Sequence, residues 1–164
     1  MYVSTMLKRK GNQTITIAPD AAVSSVINLL GSHKIGAVIV TDGRGKIRGI
    51  ISERDIVRGL FEHGQKVMTL TASDLMSRDV VSCRTADTIS ELMAVMTERN
   101  IRHLPVVEAG RLVGMVSMRD VVKERLIEVE SDITGLRDYV AGAYVIGEWV
   151  GAEQAGYGAH VGQA

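Results

Sequence analysis

The sequence has one cysteine, Cys83, two prolines and only 4% aromatic residues. A single cysteine cannot form an internal disulfide, and its scarcity is typical of proteins from reducing compartments. No apolar run approaches the roughly 18 residues that a membrane-spanning helix needs. The basic residues at positions 8–10 are followed by polar residues rather than by the apolar segment of a secretory signal. These absences predict a cytoplasmic protein that makes no membrane contact.

An excess of charge of one sign is also missing, because 19 basic residues balance 19 acidic ones. Binding to nucleic acid depends on a net positive field, so the composition does not indicate a nucleic-acid partner. The histidines show neither i,i+4 pairs nor cysteine neighbours, and we therefore expect no metal site. In contrast, 46% of the 164 residues are hydrophobic, which is enough for a core without disulfide or metal support.

One sequence unit occurs twice. Residues 23–60 and 89–126 match at their apolar positions, and the match is interrupted only in a turn, where DGRGK corresponds to EAGR. An internal repeat of this length indicates two copies of one supersecondary unit that share a core.

Both copies predict the same order of elements. Apolar residues recur at spacings of three and four in one segment, as an amphipathic helix requires, and two β-branched runs around a Gly-containing turn predict a hairpin. A serine then begins a second helix, and a short strand precedes the first one. In order, the predicted segments are strands 14–17 and 80–83, helices from 23 and 89, hairpins 37–51 and 104–116, and helices from 52 and 117.

The predicted fold is therefore α/β, in the α+β sense, with two β-α-β-β-α repeats related by pseudo-twofold symmetry and a C-terminal helix. We expect the first repeat at 10–66 and the second at 74–126. The last helix is expected to continue through 127–142, and a flexible tail rich in Gly and Ala is expected at 143–164.

The continuation carries apolar residues at alternating spacings of three and four: Leu126, Val129, Ile133, Leu136 and Val140. This is the a/d pattern of a short coiled-coil seam. It fits either a helix packed on its own domain or a contact between two copies of the chain.

The motif G-x-x-S-x-R-D appears in both repeats, from Gly49 to Asp55 and from Gly114 to Asp120. Serine followed three residues later by an acid is also a helix capping box, so either copy alone indicates only a helix start. The two copies, however, share the glycine and the arginine as well. A helix N-terminus with Ser and Arg suits a phosphate, and a nearby carboxylate suits a ribose diol. The pattern thus favours a nucleotide site.

With this motif, the repeat resembles the CBS domain, named for cystathionine β-synthase, and the tandem resembles a CBS pair or Bateman module over about residues 10–126. Residues 8–11, 35–37, 49–55 and 102–106 further resemble small bacterial proteins that consist of such a pair. The resemblance implies two clefts between the repeats that bind AMP, ADP, ATP, or in some relatives NAD(H) or an S-adenosyl compound. It also implies a homodimer.

The resemblance assigns residues to each cleft by position. In one cleft Asp120 would hold the ribose, with phosphate near Ser117 and Arg119, and the adenine would lie near Gln13, Ile15, Ile35, Gly36 and Ala37. Lys10 could reach a phosphate as well, although a basic N-terminus is more often solvated. In the second cleft the corresponding residues would be Ser52, Arg54, Asp55, Asp79, Val81, Ile101, Arg102 and His103. Pro105 is a further expected ligand-binding residue. Because Arg102 and His103 add cationic donors, we expect the second cleft to favour more phosphate charge.

The resemblance implies no catalysis, and every recurring polar residue is accounted for by ligand holding, so we expect no catalytic residues. The expected function is a regulatory module that senses adenosine nucleotides and acts on a separate, unidentified protein. The alternative is a structural dimerisation module whose clefts bind ligand weakly.

Overall fold

A computed structural model describes residues 1–154, with side chains described for residues 1–141. The chain divides into two compact units, residues 1–124 and the segment from Arg125 onward. Along the described chain the elements are α1 (Val3–Lys10), β1 (Thr16–Ile17), α2 (Val23–His33), β2 (Ala37–Thr41), β3 (Ile47–Ser52), α3 (Glu53–His63), a 3₁₀ helix (Gly64–Thr69), α4 (Ala72–Leu75), α5 (Ile89–Glu98), β4 (His103–Glu108), β5 (Arg111–Ser117) and α6 (Met118–Gln154). The predicted α+β class and its duplicated unit are confirmed.

The two repeats build their sheets in the same way. In the first, β1 pairs in parallel with β2, and β2 pairs antiparallel with β3. In the second, β4 and β5 form the antiparallel hairpin. The strand predicted at 80–83 is reduced to one parallel bridge between Cys83 and Val106, which occupies the place of the β1–β2 pairing.

Each repeat has its own apolar core. In the first repeat, Val23, Val26 and Leu30 of α2 pack against Val38 and Val40 of β2. In the second, the equivalent face of α5 packs against β4 and β5, and the participating residues are Ile89, Leu92, Met96, Leu104, Val106 and Val116. The three- and four-residue spacing in the sequence therefore marks the buried helix faces.

A short helix that the sequence analysis did not predict covers each repeat. The α4 helix packs on the first repeat, where Ala72 N donates to Ala21 O at 2.8 Å. The N-terminal α1 helix takes the corresponding place on the second repeat, where Val3 N donates to Asp87 O at 2.9 Å. The N-terminal residues are thus part of the second repeat's core, to which Val3 and Met6 contribute fully buried side chains.

These helices explain the glycine of each G-x-x-S-x-R-D motif. A Cβ on Gly49 would lie 2.5 Å from the sulfur of Met76, and a Cβ on Gly114 would lie 3.0 Å from a methyl carbon of Leu7. Because Met76 and Leu7 hold corresponding positions after α4 and in α1, each glycine allows the covering helix to approach its strand. The structure therefore gives the shared glycine a packing role.

Helix α6 begins directly after β5 and runs to Gln154, so it includes the predicted continuation and the first part of the segment expected to be a flexible tail. Positions 155–164 of that tail lie outside the described residues. All five predicted seam residues are exposed: Leu126, Val129, Ile133, Leu136 and Val140.

Among the described residues, no helix combines the length and apolar character needed to cross a bilayer.

Candidate functional site

A cavity of about 300 Å³ lies between the two repeats within residues 1–124. The first repeat contributes the start of α3, and the second contributes the segment before Val81 and the entry to β4. The predicted residues that line the cavity are Ser52, Arg54, Asp55, Asp79, Val81, Ile101, Arg102 and His103. All eight residues expected in the second cleft by position therefore surround one cavity.

The start of α3 is held by a complete capping box. Asp55 Oδ2 accepts hydrogen bonds from the backbone N–H of Ser52 at 2.8 Å and from its hydroxyl at 2.7 Å. The Ser52 hydroxyl in turn accepts from the backbone N–H of Asp55 at 3.4 Å. The capping interpretation of the motif is correct in this repeat, and it fixes the Asp55 carboxylate at the cavity wall.

Asp55 is only 6% exposed, and its second oxygen has a cationic partner. Arg58, one helical turn further along α3, donates to Asp55 Oδ1 at 2.6 Å. Because Arg58 also lines the cavity, it brings a third guanidinium to a wall that already carries Arg54 and Arg102. Sequence reasoning missed Arg58, although its i,i+3 spacing from Asp55 was available as a signal.

Gly36, which was assigned to the Asp120 cleft, borders this cavity. A Cβ at Gly36 would lie 3.2 Å from the His103 ring, so the absence of a side chain lets His103 approach the first repeat. Burial lowers the pKa of His103 below its usual value, although the carboxylates of Asp120 and Glu53 act in the opposite direction. The His103 ring therefore interacts electrostatically with one acidic group from each motif region.

The motif of the second repeat has the same capping geometry. Asp120 Oδ2 accepts from the backbone N–H of Ser117 at 2.8 Å and from its hydroxyl at 2.7 Å. The cation beside Asp120, however, comes from a different element. Lys10, the last residue of α1, donates to Asp120 Oδ2 at 2.5 Å and to the carbonyl of Met115 at 3.0 Å.

This ion pair changes the state of Asp120. Partial burial raises its pKa, but the hydrogen bonds from Lys10 and Ser117 outweigh burial and hold the pKa below its usual value. The carboxylate is therefore ionised at neutral pH. Within the described residues, Asp120 Oδ1 accepts no hydrogen bond, so one oxygen of the group is unpaired.

The other residues assigned to the Asp120 cleft differ in exposure. Gln13 and Arg119 are exposed, and Ala37 is fully buried in β2. Ile15 and Ile35 are partly buried and pack against the core of the first repeat. Pro105, a further expected ligand-binding residue, is buried within β4 and does not border the 300 Å³ cavity.

Neither a metal cluster nor a reactive thiol emerges from the described residues. They contain no group of three or more His, Cys, Asp or Glu side chains placed to hold a metal ion. Cys83 is 5% exposed, and burial raises its pKa to about 12. Its thiol is consequently protonated and packed in the second core at neutral pH.

Comparison with known proteins assigns the duplicated unit. The CBS domain model matches residues 11–62 and again residues 72–127. The crystal structure of a CBS-domain containing protein from Agrobacterium tumefaciens is similar to this chain with a TM-score of 0.75 and 41% identity, and the match covers 76% of this chain and 99% of that one.

Two similar structures contain adenosine compounds. The CBS domain pair of protein MJ0100, in complex with 5′-methylthioadenosine and S-adenosyl-L-methionine, matches with a TM-score of 0.68 and 26% identity over 79% of this chain and 98% of that chain. The structure of CBSX2 in complex with AMP matches with a TM-score of 0.63 and 25% identity over 76% of this chain and 96% of that chain.

Proposed function

This chain belongs to the CBS domain family, and from that premise we propose that it is a non-catalytic regulatory module that binds adenosine nucleotides between its two repeats. The ligands proposed are AMP, ADP or ATP, with NAD(H) as a further adenosine ligand to be tested. Ligand binding would change the activity of a separate protein. We retain a cytoplasmic location and the absence of a bound metal as parts of this proposal.

The observation that carries the proposal is the cavity beside Asp55. Its volume of about 300 Å³ is at the lower end of the range typical of small-molecule sites. It combines the polar residues of one motif with apolar side chains, Ile50, Val81 and Ile101, from both repeats. An apolar wall suits a purine ring, and polar groups at one end suit the ribose and phosphate.

The charges around the cavity are arranged for such a ligand. The N-terminus of α3 presents backbone N–H groups, which favour a phosphate. The guanidinium groups of Arg54 and Arg102 can pair with phosphate oxygens. We place the ribose at Asp55, which would exchange or share its contact with Arg58 when the ligand binds.

The cleft beside Asp120 has a different electrostatic state. Lys10 already neutralises the carboxylate, whereas the free oxygen Oδ1 can still accept from a ribose hydroxyl. A ligand at Asp120 must therefore share the carboxylate with Lys10 or displace it. We propose that the Asp55 cavity is the principal site for the more highly phosphorylated nucleotides and that the Asp120 cleft is the weaker site.

Regulation requires that the ligand prefers one of two conformations. The cavity is built from both repeats, so a ligand that contacts Asp55 on one side and Arg102 on the other favours one relative placement of the repeats. This coupling would let nucleotide binding alter the surface offered to the regulated protein.

We further propose that the chain forms a homodimer through α3. Phe61, the only phenylalanine in the sequence, is 90% exposed, and its neighbours on the same helix, Val57 and Leu60, are 67% and 53% exposed. Exposed apolar side chains grouped on one helix face are typical of an interaction surface. A second copy of the chain provides the same surface in a twofold contact.

The same exposed surface, together with the Lys10–Asp120 pair, favours one alternative function. A structural dimerisation module would keep the apolar face on α3 but would not need an available ribose carboxylate. In that case Lys10 would serve as a permanent partner of Asp120, and nucleotides would bind weakly or not at all.

Isothermal titration of nucleotide-free protein with AMP, ATP, NAD and NADH tests the proposal. Ligand at about 100 times its dissociation constant also stabilises the folded state by roughly 2.7 kcal/mol, which a thermal melt detects. We expect Asp55→Asn to remove the stronger binding event and Asp120→Asn to remove the weaker one. Asparagine keeps an oxygen for the capping box, so both variants should remain folded.

Two results would contradict the proposal. If none of the four nucleotides binds, the dimerisation alternative is favoured. If nucleotides bind equally to wild type and to both variants, the ligand lies elsewhere and the assignment of the clefts is wrong.

A further inference from the structure

The exposed seam on α6 has the spacing of a two-stranded coiled coil. In heptad notation Leu126, Ile133 and Val140 occupy a positions, and Val129 and Leu136 occupy d positions. All five are between 40% and 67% exposed in the single chain. Ile133, Leu136 and Val140 follow the pattern of β-branched a and leucine d that favours parallel dimers, whereas Leu126 and Val129 have the reverse pattern.

The flanking charges favour one of the two possible orientations. In a parallel pair, a g residue of one helix faces the e residue five positions later on its partner. Arg125 at g would then face the partner's Glu130 at e, and Asp132 at g would face the partner's Arg137 at e. Both pairs carry opposite charges and would occur twice in a symmetric dimer.

In one antiparallel register, like charges face each other. There g faces g and e faces e, and the register that places Leu126 opposite the partner's Leu136 sets Asp132 against Asp132 and Glu130 against Glu130. The antiparallel register that sets Ile133 opposite the partner's Leu136 pairs Glu130 with Arg137 but leaves Leu126 outside the seam. The parallel orientation aligns all five seam residues and pairs all four flanking charges, so the charge pattern favours it.

We propose that residues 125–140 of α6 form a parallel two-stranded coiled coil with a second copy of this chain. This inference rests on the proposed homodimer, because about two heptads are too short to associate strongly in isolation. A dimer contact elsewhere raises the effective concentration of the two helices and makes a short seam sufficient. Arg125 also donates to Glu128 of its own helix at 3.0 Å, and its remaining N–H groups stay available to a partner.

Cysteine cross-linking tests the orientation directly. Leu126→Cys and Leu136→Cys are each oxidised with glutathione disulfide, separately and as a mixture that has been allowed to exchange subunits. In a parallel pair each variant faces itself and forms a disulfide-linked dimer. In either antiparallel register, positions 126 of the two chains are at least about 15 Å apart along the axis, which is beyond disulfide reach. Wild-type protein is the control, because its only thiol, Cys83, is buried with its pKa raised to about 12.

A second measurement uses the charges. Arg125→Glu and Glu130→Arg should each self-associate several-fold more weakly in sedimentation, because each places like charges opposite each other. A mixture of the two variants should recover wild-type association, since opposite charges face each other again.

We expect self-cross-linking at both positions and recovery in the mixture. Cross-linking only between Leu126→Cys and Leu136→Cys, or self-cross-linking of Leu136→Cys without that of Leu126→Cys, would overturn the parallel orientation. If sedimentation shows a dimer that forms none of these disulfides, the seam is not the contact, and only this inference fails. A monomer in sedimentation would remove both this inference and the proposed homodimer, whereas nucleotide titration would still test ligand binding independently.

Discussion

Lys10 Nζ lies 2.5 Å from Asp120 Oδ2, so the first helix of the chain is tied to the motif of the second repeat. The preceding residue, Arg9, makes an equivalent contact and donates to the buried Glu124 at 2.8 Å. Two consecutive basic residues at the end of α1 therefore neutralise two acids on the same helix, α6. The N-terminal segment determines the charge of one candidate cleft.

Lys10→Met is expected to lower the melting temperature modestly. The ion pair is partly exposed, so its contribution to the free energy of unfolding is at most about 1 kcal/mol, or ~2–4 °C for a chain of this size. Because the pKa of Asp120 is lowered in the folded state, this stabilisation is present at neutral pH and is lost as the pH falls through that lowered pKa. Thermal melts between pH 7 and pH 3 measure the difference.

Lys8→Met is the matched control for this substitution. Lys8 lies on the same helix, is exposed and makes no ion pair among the described residues. An equal loss of stability in both variants would mean that α1 responds to the loss of any positive charge rather than to the loss of the Asp120 contact.

Local periodicity was sufficient to predict the repeat framework. The helices beginning at Val23 and Ile89 and both hairpins could be predicted because their apolar spacing records which face is buried. The prediction of a strand at 80–83 was less accurate, since a strand depends on how many backbone pairs form with β4, and within this segment only Cys83 forms one. The apolar residues Val3, Met6 and Leu7 carried a helical spacing that could have revealed α1.

The candidate site was predictable by position but not in its charge state. The repeat identifies Asp55 and Asp120 as equivalents, whereas their cationic partners come from different places. Arg58 lies one turn along the same helix, but Lys10 is far away in the sequence. Likewise, the shared glycine was interpreted as part of a ligand motif, and its packing role depends on helices that only the folded chain brings to the strand.

Alanine substitution at the two motif glycines should destabilise the protein unequally. At Gly49 the new Cβ would also lie 2.9 Å from the backbone carbonyl of Ser77, which cannot move aside easily. At Gly114 it meets only the flexible end of Leu7, at 3.0 Å. We expect Gly49→Ala to cost about 1–3 kcal/mol in the free energy of unfolding, and Gly114→Ala to cost less.

Gly43→Ala provides the control for these denaturant-unfolding measurements. Gly43 lies in the β2–β3 turn, where a new Cβ would meet no atom within 4 Å and where its φ is not positive, so the substitution should be close to neutral. If Gly114→Ala proved as costly as Gly49→Ala, the flexibility assigned to Leu7 would be wrong.

His103 should make stability depend on pH. Burial lowers its pKa in the folded state, so between that value and the ordinary value near 6.5 the unfolded chain binds more protons. Stability must then rise with pH across this window, and it should fall as the pH decreases below about 6.5. Thermal melts from pH 7.5 to pH 5 should show this loss, and His103→Gln should reduce it.

The control for His103 is His33→Gln, at an exposed position in the last turn of α2. This variant should retain the wild-type pH dependence. If His103→Gln keeps the wild-type dependence of melting temperature on pH, the proton uptake belongs to other groups.

Phe61→Glu should weaken self-association without loss of the fold. The ring is 90% exposed in the single chain, so replacing it removes no core contact, but a carboxylate at the same place would have to be desolvated in a dimer formed through α3. Sedimentation over a range of protein concentrations measures the change, and an unaltered melt at low concentration confirms the fold. Glu62→Gln, which changes an exposed charge on the adjacent residue, should leave association nearly unchanged. If Phe61→Glu associates as tightly as wild type, α3 is not the dimer surface, and the apolar face around Phe61 serves another contact.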